Sequence, residues 1–243
     1  MEYLILLALA VAPGLALAFY LYSRDIYEKE PSRKLIKAFL LGSVSVLVAA
    51  GIEMLLGNAS PWVEAFLYVG LTEELCKFFV LMVFIYPEPL INEPFDGIIY
   101  SGFISLGFAT LENVYYVLDK GLAVGIARMF LAVPAHAIFG IIMGFFVGGG
   151  KFYEKKRGRF IALGLLAPAF LHGFYDFFLM VNIPSLVIFS VGMVVVGAIL
   201  SLKAIRIRQK ESPFRPGGPA WKVLHQDDLP SGPGGGPGPR LPS

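Results

Sequence analysis

Seven side chains that can carry protons or bind metals lie inside stretches apolar enough to cross a membrane. Glu73, Glu74 and Lys77 fall midway along Pro61–Tyr86, Glu112 in Asp96–Leu118, His136 in Gly125–Val147, and His172 with Asp176 in Phe160–Val181. A charge near a bilayer centre costs about 2.5–3.5 kcal/mol even on the gentler insertion scales, so such groups normally face the bundle interior and pair with one another. Four separate stretches carry that cost here. One shared polar centre, catalytic or ion-handling, accounts for all of them.

Spacing sharpens the expectation. On a helix Lys77 is one turn from both acids, at i+4 from Glu73 and i+3 from Glu74. One carboxylate is expected to pair with Lys77 while its neighbour points elsewhere, free to exchange protons. Two acids against one base leave a charge over, which a self-contained salt bridge would not. His172 and Asp176 are four residues apart and share a helix face, so Asp176 can hold a proton on one imidazole nitrogen and orient the other. Glu112 stands beside Asn113, and His136 sits in Pro134-Ala-His-Ala, among small residues that admit a second helix. With a rise of about 1.5 Å per residue, Glu74, His172, His136 and Glu112 fall between the midplane and the outer half of their spans. Glu53 and Glu64 come nearer the outer surface and are expected to be wetted there.

The elements that must position them are membrane helices. The chain has 243 residues, of which 56% are hydrophobic and only 16% charged, well below the quarter usual in soluble domains. Its net charge of +2 gives no reason to expect a nucleic-acid partner. Seven runs match the roughly 20 residues needed to span the hydrocarbon core: Tyr3–Tyr22, Leu35–Leu56, Pro61–Tyr86, Asp96–Leu118, Gly125–Val147, Phe160–Val181 and Pro184–Leu202. The first lacks the basic leading region of a signal peptide and reads as a retained span. Basic residues gather on one side: Arg24, Lys29, Arg33 and Lys34, then Lys151 to Arg159, then Lys203 to Lys210. The positive-inside rule then places the N-terminus outside and the C-terminus in the cytoplasm. The predicted fold is therefore an all-α polytopic bundle over residues 1–210. A Gly/Pro-rich tail, residues 211–243, is expected to be disordered, with His225 outside the chemistry and Trp221, Val223 and Leu224 a minor docking patch at most.

Other chemistries fit poorly. Cys76 is the single cysteine, which excludes an intrachain disulfide and a multi-cysteine zinc site and leaves a small packing residue. The chain holds no Gly-x-Ser-x-Gly elbow, no His-Glu-x-x-His, no Walker loop and no dinucleotide fingerprint. A proton-coupled transporter would also use buried acids and histidines, but the inverted repeats and broken helices of such folds are not recognisable. A non-enzymatic scaffold or immunity protein would have no need of the full polar set.

Several stretches together resemble the PrsW family of membrane-embedded proteases, itself distantly similar to the CAAX prenyl protease and bacteriocin-immunity superfamily. They are Asp25 to Pro31, Glu73-Glu-Leu-Cys-Lys77, Phe95-Asp-Gly-Ile-Ile-Tyr100, Gly107 to Asn113, Pro134-Ala-His136 and His172-Gly-Phe-Tyr-Asp176. The resemblance runs from about Val11 to Leu202 and leaves out the tail. It implies peptide-bond hydrolysis in or near a bacterial plasma membrane. The implied substrate is a single-span protein such as an anti-sigma factor, cut on its outer side to start a stress response. Carried over to this chain, Glu73 or Glu74 would activate water, and His172, oriented by Asp176, would carry a proton or stabilise the oxyanion. Glu112, Asn113 and His136 would complete the pocket, with Lys77 as charge partner. Two mechanisms follow: a glutamate protease without metal, or a Zn²⁺ enzyme with His136, His172 and one or two glutamates, Glu74 foremost, as ligands. Lys77, competing with a cation for the same carboxylates, tilts the sequence reading toward the first.

Overall fold

A computed structural model of the chain describes residues 2–89, 91–181 and 183–220. Among them the regular structure is entirely helical. Helix α1 (Glu2–Ser23) and α2 (Ser32–Leu56) are followed by one long helical passage, residues 61–85. That passage is assembled from α3 (Pro61–Val63), a π-helical run Glu64–Leu71, α4 (Thr72–Val80) and a second π run Leu81–Ile85. Then come α5 (Asp96–Lys120), α6 (Leu122–Phe130), α7 (Ala132–Phe152), α8 (Arg157–Met180) and α9 (Val187–Lys210).

The outer surface is apolar. Leu15 and Phe19 on α1, Ile36, Leu40 and Leu47 on α2, and Ile188, Val195 and Ile199 on α9 all stand exposed. In water such a surface would aggregate; against lipid tails it is satisfied. Five helical passages are long and apolar enough to cross a membrane: Leu4–Ser23, Ser32–Leu56, Leu122–Phe152, Glu154–Met180 and Pro184–Lys210. The chain is thus a multi-pass membrane helix bundle. The passages through α4 and α5 are more polar, because they carry Glu73, Glu74, Lys77, Asp96 and Glu112.

Helix α5 forms the centre. Nearly every residue from Asp96 to Thr110 is buried, and α1, α2 and α7 pack around it. Its small residues allow that: a Cβ on Gly97 would meet the Gly148 Cα of α7 at 2.5 Å. In lipid there is little hydrophobic drive between helices, so close backbone approach supplies the adhesion. Polar clasps add register. Ser105 Oγ donates to the His136 carbonyl (2.6 Å), and Ser43 Oγ to that of Gly107 (2.9 Å).

The sequence expectation of one span over Gly125–Val147 is refined by a break. Pro134 lacks an N–H and its ring crowds the carbonyl of Phe130, so the helix cannot run straight through. The chain turns at Leu131 (φ −118, ψ −65), which separates α6 from α7. The chain just after α9 packs back on the body: Glu211 accepts from the Tyr153 hydroxyl (3.0 Å), and the Ser212 hydroxyl donates to Glu93. Trp221, Val223, Leu224 and His225, with the rest of residues 221–243, lie outside the described residues.

Candidate active site

The expected residues do converge. The π run before α4 has a wider turn than an α-helix, a feature found often at functional sites. The run itself packs tightly against α8, just ahead of α4: a Cβ on Gly70 would lie 2.7 Å from the Gly173 amide nitrogen. Glu73, Glu74 and Lys77 are thereby set beside His172. Helix α7 delivers His136 from the other side, and the two imidazoles meet edge to face with centroids 5.0 Å apart. Phe139 stacks on His172 (4.8 Å) and Lys77 sits over the Phe108 ring (3.9 Å), so the rotamers are walled by aromatic faces. Glu73, Glu74, Lys77, His136 and His172 are all at most 5% exposed.

Lys77 does not choose one acid. Its ammonium lies 3.2 Å from Glu73 Oε2 and 2.8 Å from Glu74 Oε1, and it also reaches His136 Nδ1 at 2.9 Å. Both carboxylates are therefore braced by one cation, unlike the paired-and-free arrangement expected from spacing. The acids part company elsewhere. Glu74 Oε1 also contacts His172 Nδ1 at 3.0 Å, while its Oε2 is buried without a partner among the described residues. Glu73 Oε2 instead faces the other ring nitrogens, 3.8 Å from His172 Nε2 and 4.0 Å from His136 Nε2.

Each imidazole is bracketed. His172 has Glu74 at Nδ1 and Asp176 Oδ2 at Nε2, 3.2 Å away. Its orientation is set by both carboxylates, where the sequence pointed to Asp176 alone. His136 Nε2 contacts Glu112 Oε2 at 3.0 Å. Because an ammonium can only donate, Lys77 makes Nδ1 of His136 the acceptor, and Nε2–H then donates to Glu112. Asn113 lies alongside, but its amide is engaged: Nδ2 donates to the Ala10 carbonyl (3.0 Å) and Oδ1 accepts from Arg128 Nε (3.0 Å).

Arg128 is the residue the sequence did not assign to the centre. The turn at Leu131 carries its helix, α6, over the site. Its guanidinium then reaches Glu112 Oε2 at 2.7 Å and lies 4.0 Å over the Tyr116 ring. No local spacing links positions 112 and 128; only the Pro134 break hints that the chain bends there. Glu53, expected at the wet surface, is half-buried with Oε1 unpartnered, and Cys76 is half-buried beside the acids.

The donor set suits a divalent metal. One oxygen of Glu73 and one ring nitrogen from each of His136 and His172 lie within 4.8 Å of one another. Ligands about 2.0–2.2 Å from zinc in a tetrahedron would stand about 3.4 Å apart, so small side-chain shifts suffice. The gathered carboxylate is Glu73 rather than Glu74, since Glu74 is turned toward Nδ1 of His172. Charge agrees: the carboxylates Glu73, Glu74, Glu112 and Asp176, with Glu53 nearby, outnumber Lys77 and Arg128, the permanent cations at the centre among the described residues. That excess of negative charge suits a cation. Lys77 is the competitor, and His136 can ligate through Nε2 only when Lys77 gives up its contact to Nδ1.

Comparison with known proteins points the same way. The profile of the PrsW family of intramembrane metalloproteases matches residues 30–202. The protein named Protease PrsW of Geobacillus kaustophilus (strain HTA426) is 45% identical over 179 residues, 72% of this chain and 80% of its own. Its namesake in Bacillus subtilis (strain 168) is 40% identical over 180 residues, covering 72% and 82%. That of Clostridioides difficile (strain 630) is 37% identical over 190 residues, covering 73% and 80%. No solved structure matches the chain.

Proposed function

The chain belongs to the PrsW family of intramembrane metalloproteases, and from that premise we propose that it hydrolyses a peptide bond of a single-span membrane protein at the Glu73, His136 and His172 centre. The observation that carries this reading is the gathering of those three donors from α4, α7 and α8 at one buried point. In this reading the passages through α4 and α5 are membrane spans as well, giving seven, with the N-terminus outside and the cell membrane as location. An anti-sigma factor is the substrate class, and the resemblance of the motifs is what supports it.

Glu73, His136 and His172 would hold the metal. When bound, the ion would polarise the scissile carbonyl and acidify a water. The other residues handle protons and geometry. Glu74 is the general base: Oε1 is fixed by Lys77 and His172, which leaves the buried Oε2 to take a proton and return it to the departing amine. Glu74 would accept from Nδ1–H and fix the His172 ring, with Asp176 standing beside Nε2, the nitrogen that faces Glu73 and would take the metal. Arg128 holds Glu112 in place against His136, and Asn113 ties that pair to α1. Burial removes bulk water, so each of these contacts acts in a low-dielectric setting.

The test is cleavage of a single-span substrate by the purified full chain in detergent, with new termini read by mass spectrometry. Wild type should cut at one bond. Glu73→Gln and Glu74→Gln should both fail while remaining folded, monodisperse and helical by circular dichroism. Equal cleavage by all three proteins would remove the proposed centre from the reaction.

A further inference from the structure

A second group of acids lies at the other end of the bundle, where the 24–31 connection, the 86–95 connection and the chain after α9 meet. Asp25, Glu30, Glu93 and Asp96 are at most 2% exposed, and Glu28 is half-buried beside them. None of these five carboxylates makes an ion pair among the described residues. The cations at that end are committed elsewhere. Lys29 lies over the Tyr22 ring (4.3 Å), and Lys151 donates to the carbonyls of Tyr86 and Glu88. Arg208 is held by the Phe145 carbonyl and Glu211.

Some of the acid oxygens are spoken for. Asp96 Oδ2 accepts from the Asn92 and Glu93 amides (2.8 and 2.7 Å), which closes the turn into α5. Asp25 Oδ2 accepts from the Glu30 amide (2.8 Å), and the Tyr100 hydroxyl donates to Glu30. The remainder are not. Among the described residues, no N–H or hydroxyl donor reaches Asp96 Oδ1 or Asp25 Oδ1, on fully buried residues, or Glu28 Oε2. Glu28, Glu30 and Asp96 each place one oxygen within 4.8 Å of the others. An unpaired buried carboxylate loses its hydration without compensation, and several together add repulsion.

We infer that this end of the bundle binds one hard divalent cation, of the Mg²⁺ and Ca²⁺ class, between Glu28, Glu30 and Asp96. The donors are all oxygens, with no nitrogen or sulfur, which selects Mg²⁺, Ca²⁺ or Mn²⁺ over zinc. The ion ties the 24–31 connection to the first turn of α5, the central helix that carries Glu112 toward the active site. It is a clip on the fold, separate from the catalytic metal and independent of the protease reading.

Mn²⁺ is the probe, titrated onto the purified full chain in detergent and followed by loss of the free-ion signal in electron paramagnetic resonance. The Glu73→Gln protein is used beside wild type, so that binding at the catalytic centre is removed. One Mn²⁺ should remain bound in Glu73→Gln and be displaced by Mg²⁺ or Ca²⁺. Adding Glu30→Gln or Asp96→Asn to Glu73→Gln should abolish it. Thermal unfolding of wild type should shift upward with Mg²⁺ or Ca²⁺, a readout that needs no variant to fold. No Mn²⁺ bound by Glu73→Gln at millimolar concentration would overturn the site, with protons then neutralising the acids. Undiminished binding after Glu30→Gln and Asp96→Asn would do the same.

Discussion

The two acidic clusters solve one problem in two ways. At the active site, four carboxylates are met by Lys77 and Arg128 from the chain itself, and two imidazoles fill the space between. At the opposite end, five carboxylates gather with no paired side-chain cation among the described residues. The first cluster is braced internally and offers nitrogen donors; the second is unbraced and offers only oxygen. Excess negative charge in both invites a cation, and donor chemistry decides which: a zinc-like ion for the first, a hard ion for the second. A buried acid cluster therefore does not by itself mark catalysis. The imidazoles and the built-in ammonium make the difference.

The comparison can be broken or sharpened by substitution. The largest effect is expected for Glu74→Gln, which removes the base but none of the three metal donors. Cleavage should fall about 10²–10⁴-fold while bound zinc, measured by atomic absorption, stays at the wild-type level. Glu73→Gln should lose both activity and zinc, and that contrast separates the roles of two adjacent residues. Next comes Lys77→Met, which strips the first cluster of its ammonium and makes it resemble the second. It should destabilise by about 3–5 kcal/mol, because Glu73 and Glu74 are left without their charge partner. Thermal unfolding in detergent checks this, and adding Glu74→Gln should recover part of the loss.

Gly173→Ala tests the helix contact that sets the first cluster. Its Cβ would meet the Phe66 ring at 2.6 Å and the Phe66 Cα at 2.8 Å. Overpacking of this kind costs about 1–3 kcal/mol. A displacement near 1 Å between α4 and α8 should cut cleavage by about 10²-fold, more than the stability change alone would produce. The smallest effect is Glu28→Lys, which builds a cation into the second cluster. Stability should change by about 1 kcal/mol or less, and unfolding should stop responding to Mg²⁺ or Ca²⁺. A Glu28→Lys protein that still responds to these ions would place the bound ion elsewhere.

Much of the site was legible because membrane insertion penalises charge. Glu73, Glu74, Lys77, Glu112, His136, His172 and Asp176 stand out against apolar surroundings, and their helical spacing pairs Lys77 with both acids and His172 with Asp176. What spacing could not convey was the third dimension. Arg128 joins Glu112 only because the chain turns before Pro134. Glu74, not Asp176 alone, fixes His172, since that contact crosses between α4 and α8. The second cluster was hidden for a different reason: Asp25, Glu28 and Glu30 sit in a hydrophilic connection, where acids look solvated. Tertiary contacts place them inside: the Tyr100 hydroxyl of α5 closes on Glu30 and Ser212, after α9, on Glu93, contacts between residues far apart in sequence. The helical bundle itself followed from the apolar runs. The π runs within residues 61–85 did not, because a single extra residue per turn leaves no periodic mark in so short a stretch.

The most direct test measures zinc content and substrate cleavage on the same purified full-length sample, before and after a strong chelator and again after Zn²⁺ is returned. The expected result is about one catalytic zinc per chain, loss of cleavage on its removal, recovery on its return, and neither zinc nor cleavage in Glu73→Gln. Undiminished cleavage by protein stripped of zinc would contradict it, and would leave Glu73 and Glu74 working with the histidines alone.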